Sequence, residues 1–319
     1  MNQDQRRLQE AHEAYMINSP FRWVGGKSRL RRHIIPLLPP HTCYVEPFAG
    51  AAWVLFGKPP SSVEVINDID QELINFFRVV KERPEELIAS FEWDLVSRAE
   101  FKRLAETEPG SLSPIQRAHR FYYIIMAGWG GELNYPRFQT SITDGGHGNR
   151  LAGALKTLKE RLEPVHKRLR TVIIENLDWR DCVARYDSAT TVFYLDPPYP
   201  GNGANYAHNM RAWEDHHTLA ARLQNCQGKW LLSSYDIPEV RDLFKDFVII
   251  PIQSSSGMTT TKHGSERVLN REVVVANYTP ATLGTLDEPY QAQDIEDRPT
   301  ETDCDPSSLP KGPKQLPLG

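Results

Sequence analysis

The chain has 319 residues, 40% hydrophobic and 24% charged, a globular composition with length for two domains or one large domain carrying an insertion. Its formal net charge is −4, and no apolar run approaches the roughly 20 residues of a membrane span. The polar start MNQDQRRLQEAHEAY has no apolar h-region, and Cys43, Cys182, Cys226 and Cys304 are widely spaced without a CxxC pair, which argues against a disulfide scaffold or structural zinc and predicts a soluble, cytoplasmic chain without a secretory leader.

After a polar head (1–19), short β-branched and aromatic runs read as buried strands: Cys43–Pro47 and then Val63–Asn67. A helical pattern follows over Asp70–Val80. From 81 to 170 the strand–helix alternation stops, and mostly helical sequence surrounds a Gly- and Asn-rich stretch, GWGGELNYPRFQTSITDGGHGN. This reads as an inserted subdomain with an exposed loop. Strands resume at Thr171–Glu175, Val192–Asp196 and Trp230–Ser234, with helices over Asp215–Gln224 and Pro238–Phe244. Phe247–Gln253 and Arg271–Tyr278, joined by SSSGMTTTKHGSERVLN, fit an antiparallel pair at the sheet's edge. The predicted fold is therefore α/β, a mainly parallel sheet over 20–80 and 171–278. Residues 279–319 are Pro-, Asp- and Glu-rich and predict a disordered acidic tail.

The tail holds eight acids and three bases, which leaves the preceding residues near +1. Basic clusters at Arg29, Arg31, Arg32 and His33, and at Lys167, Arg168 and Arg170, read as solvated helix faces. Charge does not by itself choose a partner.

The sharpest chemical feature is Asp196-Pro197-Pro198-Tyr199, directly after VFYL. The prolines fix the backbone as it leaves the sheet, and hold a carboxylate and an aromatic ring at the carboxyl end of the strands, where open α/β sheets bind ligands. A carboxylate and a fixed backbone carbonyl accepting the two N–H groups of an exocyclic amine, such as that of adenine, would localise its lone pair while the ring stacks on the base. An ordinary strand-ending turn fits the same four residues. Val45-Glu46-Pro47-Phe48-Ala49-Gly50 ends the first strand in small residues that let backbone approach a ligand, and Asn67-Asp68 closes the second strand with an acid suited to ribose hydroxyls. Helix packing and capping explain the same residues equally well. In Phe21-Arg22-Trp23-Val24-Gly25-Gly26-Lys27-Ser28 the P-loop spacing fails, because Phe21 stands where G-x-x-x-x-G-K-S/T needs glycine. Lys27 remains able to meet a carboxylate or carbonyl, and Trp23 to support a sulfonium by cation–π attraction.

Taken in order, FRWVGGK, YVEPFAG, INDID, a helical insertion and YLDPPY resemble the Dam-type (D12 class) DNA adenine-N6 methyltransferases, and LLSSYD and REVVVANY resemble their closing strands. The resemblance spans roughly Pro20 to Tyr278. It implies a Rossmann-like methyltransferase sheet with an antiparallel edge strand and an inserted, mostly helical target-recognition subdomain. It also implies S-adenosylmethionine as methyl donor, no metal, and direct transfer to an adenine flipped out of duplex DNA. Under it, Trp23, Lys27, Glu46, Pro47, Phe48, Gly50 and Asp68 match cofactor-contact positions. Asp196, Pro197, Pro198 and Tyr199 match the catalytic tetrapeptide, with Asp196 also near the donor. Arg120, Arg137 and Asn149 in the insertion are expected as base or phosphate contacts, or else as ordinary surface residues. The resemblance further implies a monomer acting on double-stranded DNA in a bacterial or phage-infected cytoplasm, and it allows a cognate restriction endonuclease as a pathway partner. The chain departs from the family in reading Gly50-Ala51-Ala52 where further glycine is common.

Two other readings use the same residues. Cytosine-N4 methyltransferases employ similar chemistry but more often begin the tetrapeptide with Ser, and a glutamine-modifying enzyme would be expected to carry Asn at position 196. RNA is a lesser substrate option. A DNA- or cofactor-binding relative that had lost catalysis should show an eroded motif, yet Lys27, Asp68, Asp196 and Tyr199 are all present.

Overall fold

The computed structural model describes residues 16–23, 25–128, 136–138, 150–200, 210, 212–255 and 269–281. Seven strands form one sheet: β1 (Cys43–Glu46), β2 (Val63–Asn67), β3 (Ile173–Glu175), β4 (Thr191–Leu195), β5 (Lys229–Tyr235), β6 (Val248–Ser255) and β7 (Leu269–Ala276). Their order is β3-β2-β1-β4-β5-β7-β6. The first five run parallel, β7 is antiparallel to β5, and β6 is antiparallel to β7. The expected α/β sheet with antiparallel strands at one edge is what forms. Pro251, which has no N–H to give a ladder, sits on the edge strand β6. The predicted connection between β6 and β7 is shortened by longer strands, and 256–268 lie outside the described residues, as does the tail from 282.

Strand side chains alternate between two cores, as a two-residue period requires. Tyr44, Ile66, Val192, Tyr194, Leu231, Val274 and Ala276 belong to one buried cluster, whereas Val45, Val65, Phe193, Leu195, Trp230, Leu232, Val273 and Val275 belong to the other. The described helices are α1 (Arg31–Ile34), α2 (Trp53–Gly57), α3 (Gln71–Glu82), α4 (Pro84–Ala89), α5 (Arg98–Glu106), α6 (Pro114–Ala127), α7 (Arg150–Lys156), α8 (Leu158–Leu169), α9 (Trp179–Tyr186), α10 (Trp213–Gln224) and α11 (Pro238–Leu243). The first core also takes Phe76 and Phe77 of α3, Phe121 and Tyr122 of α6, and Leu162 and Val165 of α8. Helices from 81–170 thus share one continuous core with the sheet, and α3 runs past the expected boundary at residue 80 to Glu82. Asp70, read as helical, is instead the N-cap, accepting from the backbone N–H of Glu72 and Leu73.

Arg29, Arg32, Lys167 and Arg170 are exposed as expected of solvated faces, but one residue of each basic run turns inward. Arg31 is buried and donates to Ile17 O at 2.8 Å and to Asn18 Oδ1 at 2.9 Å. Arg168 pairs with the buried Glu64, which also binds Lys58 Nζ at 2.6 Å. Consecutive helix residues point about 100° apart, so exposed Lys167 and half-buried Arg168 can be neighbours in sequence without sharing a face.

Candidate active site

The strand order reverses between β1 and β4, the place beyond the strands' carboxyl ends where open α/β sheets form a ligand crevice. Register pairs Val45 with Phe193, so the turn leaving Glu46 lies beside the turn leaving Leu195. Two of the three sequence motifs meet there because of topology, and the third is brought in by packing. Phe21 is buried in the first core, with its ring 5.3 Å from that of Phe76 and 5.4 Å from that of Phe121. That anchor carries Trp23 and Lys27 over the crevice.

The β1 turn is built around Gly50. Its φ is +47°, and a Cβ there would stand 3.0 Å from Cδ1 and Nε1 of the Trp23 indole. Glycine is required on both counts, and the indole is held close to turn backbone. The Trp23 ring also stacks on Phe121 with centroids 6.1 Å apart. Ala52, two residues on, has φ +51°, a left-handed conformation that costs an L-residue roughly 1–2 kcal/mol. The departure from further glycine noted in the sequence therefore carries a conformational cost. Asp68, at the end of β2, accepts from Gly50 N and Asp70 N, each at 3.0 Å. Fully buried Asn67 ties three strand ends together: its Nδ2 donates to Pro47 O (2.9 Å) and Leu177 O (3.1 Å), and its Oδ1 accepts from Leu177 N (2.8 Å). Phe48 is half-buried against Trp179, with ring centroids 6.1 Å apart.

Glu46 is turned inward. Its Oε1 accepts from Tyr44 OH and from Leu55 N, both at 2.7 Å. Burial pushes its carboxyl up to about 7, against the lowering effect of those two donors. It therefore braces the turn from within, linking β1 to the first turn of α2.

The Asp196 side of the crevice is a compact charged cluster. Lys27 Nζ lies 2.8 Å from Asp196 Oδ1, 4.0 Å from Glu272 Oε2 and 4.7 Å from the centre of the Tyr199 ring, and donates to Gly25 O at 2.8 Å. Tyr199 OH donates to Glu272 Oε2 at 3.0 Å, and its ring meets Tyr235 edge-on at 4.6 Å. Burial raises the Asp196 carboxyl above its ordinary range, and the Lys27 ammonium opposes that rise. Burial, then the Asp196 and Glu272 carboxylates, hold the Tyr199 phenol well above its usual value. Pro197 is buried and Pro198 half-buried, which keeps this turn rigid.

Three residues of the site were not singled out from sequence. Glu272 reads as the unremarkable start of REVVVA, yet it pairs in register with Tyr235 on β5 and reaches Tyr199 and Lys27. Asn67 stands inside the INDID motif but was given no role of its own, and Trp179 carries no local motif. An acid on the first-core face of an otherwise apolar strand is the signal that marks Glu272.

The insertion residues are dispersed. Arg120 donates from Nε to Leu104 O at 2.7 Å and from Nη2 to Ala105 O at 3.2 Å, capping the last carbonyls of α5. Arg137 is exposed, and Asn149 lies outside the described residues. Among the described residues no three His, Cys, Asp or Glu side chains are grouped to hold a metal ion, and no helix is long and apolar enough to cross a membrane.

The family described as D12 class N6 adenine-specific DNA methyltransferase matches residues 23–258. The chain is similar to a Type II methyltransferase, M1.LlaDCHI, of Lactococcus lactis subsp. cremoris, with 28% identity over 281 residues, covering 81% of this chain and 95% of that protein. It is 25% identical over 261 residues to a DNA adenine methylase of Serratia marcescens, covering 77% and 94% respectively. Against the DNA adenine methylase of Escherichia coli it is 29% identical over 185 residues, 56% of this chain and 63% of that one.

Proposed function

The chain belongs to the D12 class of N6 adenine-specific DNA methyltransferases, and from that premise we propose that its methyl donor and a flipped adenine meet in the crevice between the Gly50 turn and Asp196-Pro197-Pro198-Tyr199. The activity is methyl transfer to the exocyclic N6 amine of adenine in DNA, and a cytosine-N4 specificity is not favoured. The observation that carries the site assignment is the placement of Asp196, Tyr199 and Lys27 in one buried cluster beside a left-handed glycine turn.

The residues fit S-adenosylmethionine. The Gly50 turn, whose missing Cβ leaves room for the Trp23 indole, offers a backbone edge and an aromatic face to a sulfonium. Asp68 stands at the second strand's end, where an acid suits ribose hydroxyls, and Phe48 with Trp179 gives apolar rings nearby. When bound, the donor supplies an electrophilic methyl group. Asp196 accepts one N–H of the adenine amine and the Pro197 carbonyl the other, which localises the nitrogen lone pair toward the methyl carbon. The Tyr199 ring, pinned by Glu272 and Tyr235, stacks on the base. Preorganised acceptors in a water-poor pocket stabilise the positive charge that develops on N6.

The enzyme acts as a monomer on duplex DNA in a bacterial or phage-infected cytoplasm, with Arg137 and Asn149 as candidate DNA contacts. Similarity to a Type II methyltransferase favours a restriction-modification setting with a cognate endonuclease. The test is to incubate the protein with unmethylated duplex DNA and labelled S-adenosylmethionine, digest to nucleosides and identify the labelled species. N6-methyladenine supports the reading; label confined to N4-methylcytosine, or no label from a donor-binding protein, overturns it.

A further inference from the structure

The position of Lys27 poses a problem for the reaction. Asp196 is the carboxylate that must meet the adenine amine, yet its Oδ1 faces the Lys27 ammonium at 2.8 Å. A carboxylate engaged with an ammonium is a weaker acceptor for a second donor, and it has less charge to offer the cation that develops on N6. Simple departure of Lys27 is also unfavourable. The side chains of Lys27, Asp196 and Glu272 are only 7%, 19% and 13% exposed, and two carboxylates left in this pocket without their cation would repel one another at high desolvation cost.

The cluster contains a second acceptor for the same ammonium. Glu272 Oε2 is 4.0 Å from Lys27 Nζ, so a shift of little more than an ångström would convert a loose pair into a hydrogen-bonded one. Gly25 O, 2.8 Å from Nζ, lies on the same loop as Lys27, two residues away, and can accompany that movement. Glu272 is fixed by its β5–β7 register opposite Tyr235 and by the Tyr199 hydroxyl it accepts. We propose that Glu272 is a positioning residue that receives the Lys27 ammonium as the flipped adenine takes its place at Asp196. The net charge of the cluster is unchanged by the transfer. What changes is which carboxylate is neutralised, so Asp196 is unmasked only when the base arrives. Glu272 also holds the Tyr199 ring, so base stacking and release of Asp196 pass through one side chain. This inference rests on the reading of Asp196 as the amine acceptor.

The experiment uses the full chain and a duplex carrying 2-aminopurine at the methylated position, located beforehand by mapping N6-methyladenine in plasmid DNA treated with the wild-type enzyme. Base extrusion is read as 2-aminopurine fluorescence, and donor binding by calorimetry. Glu272→Gln keeps an acceptor for Tyr199 but cannot neutralise an ammonium. It is expected to bind S-adenosylmethionine within about twofold of wild type and to lose tenfold or more in both the fluorescence rise and the single-turnover rate. In a Lys27→Met background, which has no ammonium to transfer, the same Glu272→Gln change is expected to alter the fluorescence by less than about twofold. An equal loss in both backgrounds makes Glu272 merely structural and overturns the proposal, as does a wild-type response of Glu272→Gln alone. Lys27→Arg carries the test independently of how the Glu272 variant folds. A guanidinium fork can hold both carboxylates at once, so extrusion should fall while duplex binding is retained; extrusion at the wild-type level overturns the transfer. Asp196→Asn separates the two readings. If it methylates normally, the acceptor assignment fails; if it is inactive while Glu272→Gln is normal, only the transfer of Lys27 fails.

Discussion

The backbone N–H of Gly50 donates to Asp68 Oδ2 at 3.0 Å, so the turn that follows β1 is held by the acid that ends β2. The other carboxylate oxygen accepts from Asp70 N at the same distance, which ties the start of α3 to the same residue. A residue in this position serves the shape of the crevice as well as any ligand in it.

Replacing Asp68 by Ala should therefore act twice. Loss of two backbone hydrogen bonds to a charged acceptor should cost about 1–3 kcal/mol of stability, measured by urea unfolding. Loss of the ribose acceptor should weaken S-adenosylmethionine binding tenfold or more by calorimetry. A variant that is destabilised but binds the donor with unchanged affinity would restrict Asp68 to the architectural role.

Asp196 sits where burial opposes its ionisation and Lys27 supports it. Asp196→Asn keeps the volume but gives up the charge, and its amide can present an N–H where an acceptor is needed. Methyl transfer under saturating donor and DNA should fall by roughly two to three orders of magnitude. The melting temperature should change by only a few degrees, because the unpaired Lys27 retains Gly25 O and lies near Glu272. Turnover within tenfold of wild type would remove Asp196 from the acceptor role.

Glu46 makes a pH prediction. Its carboxyl is moved from 4.5 to about 7 by burial, so the folded state binds more protons than the unfolded chain across that window. Glu46's contribution therefore favours folding below about pH 4.5 and is lost as pH rises toward 7, by about 3 kcal/mol in all. Glu46→Gln stays neutral and keeps an oxygen to accept from Tyr44 OH and Leu55 N. The stability difference, variant minus wild type, should accordingly grow as pH is raised from 5 to 8. Chemical denaturation at several pH values measures it, and parallel curves would show that Glu46 is ionised at ordinary pH.

The strands were legible because buried parallel strands are short, apolar and β-branched, as in VEVIN and VFYL, and the tetrapeptide was legible because it follows one of them without a break. Glu272 was not, since its role depends on an antiparallel register with β5 that no local pattern encodes. Arg168 misled for a related reason. In a run such as HKRLR the charges look equivalent, but Lys167 pairs with Glu163 on the surface at 2.6 Å while Arg168 turns inward to Glu64. Only the partner strand distinguishes them. The DNA contacts expected in the insertion were the least legible, since recognition side chains follow the target and not the fold; Arg120, which looked available, caps a helix.

The Glu64 cluster supplies a prediction that separates stability from activity. The Glu64 side chain is 1% exposed and meets Lys58 Nζ at 2.6 Å and Arg168 Nη2 at 2.7 Å. Burial alone would raise its carboxyl, but the two cations hold it below the usual range. It lies opposite Tyr44 in the β1–β2 register, two pairs before Glu46 and Ile66, well short of the strand ends that build the crevice. Glu64→Gln leaves two buried cations without their anion and should cost about 3–5 kcal/mol, read as a lower urea midpoint with an unchanged slope. Donor affinity of the remaining folded molecules should stay within about twofold. Replacing Glu64 by Leu together with Arg168 by Met should recover part of the loss, because it removes one charge from each side of the pair. A cost below about 1 kcal/mol for Glu64→Gln would mean that water reaches this cluster and that α8 is held to β2 by apolar packing alone.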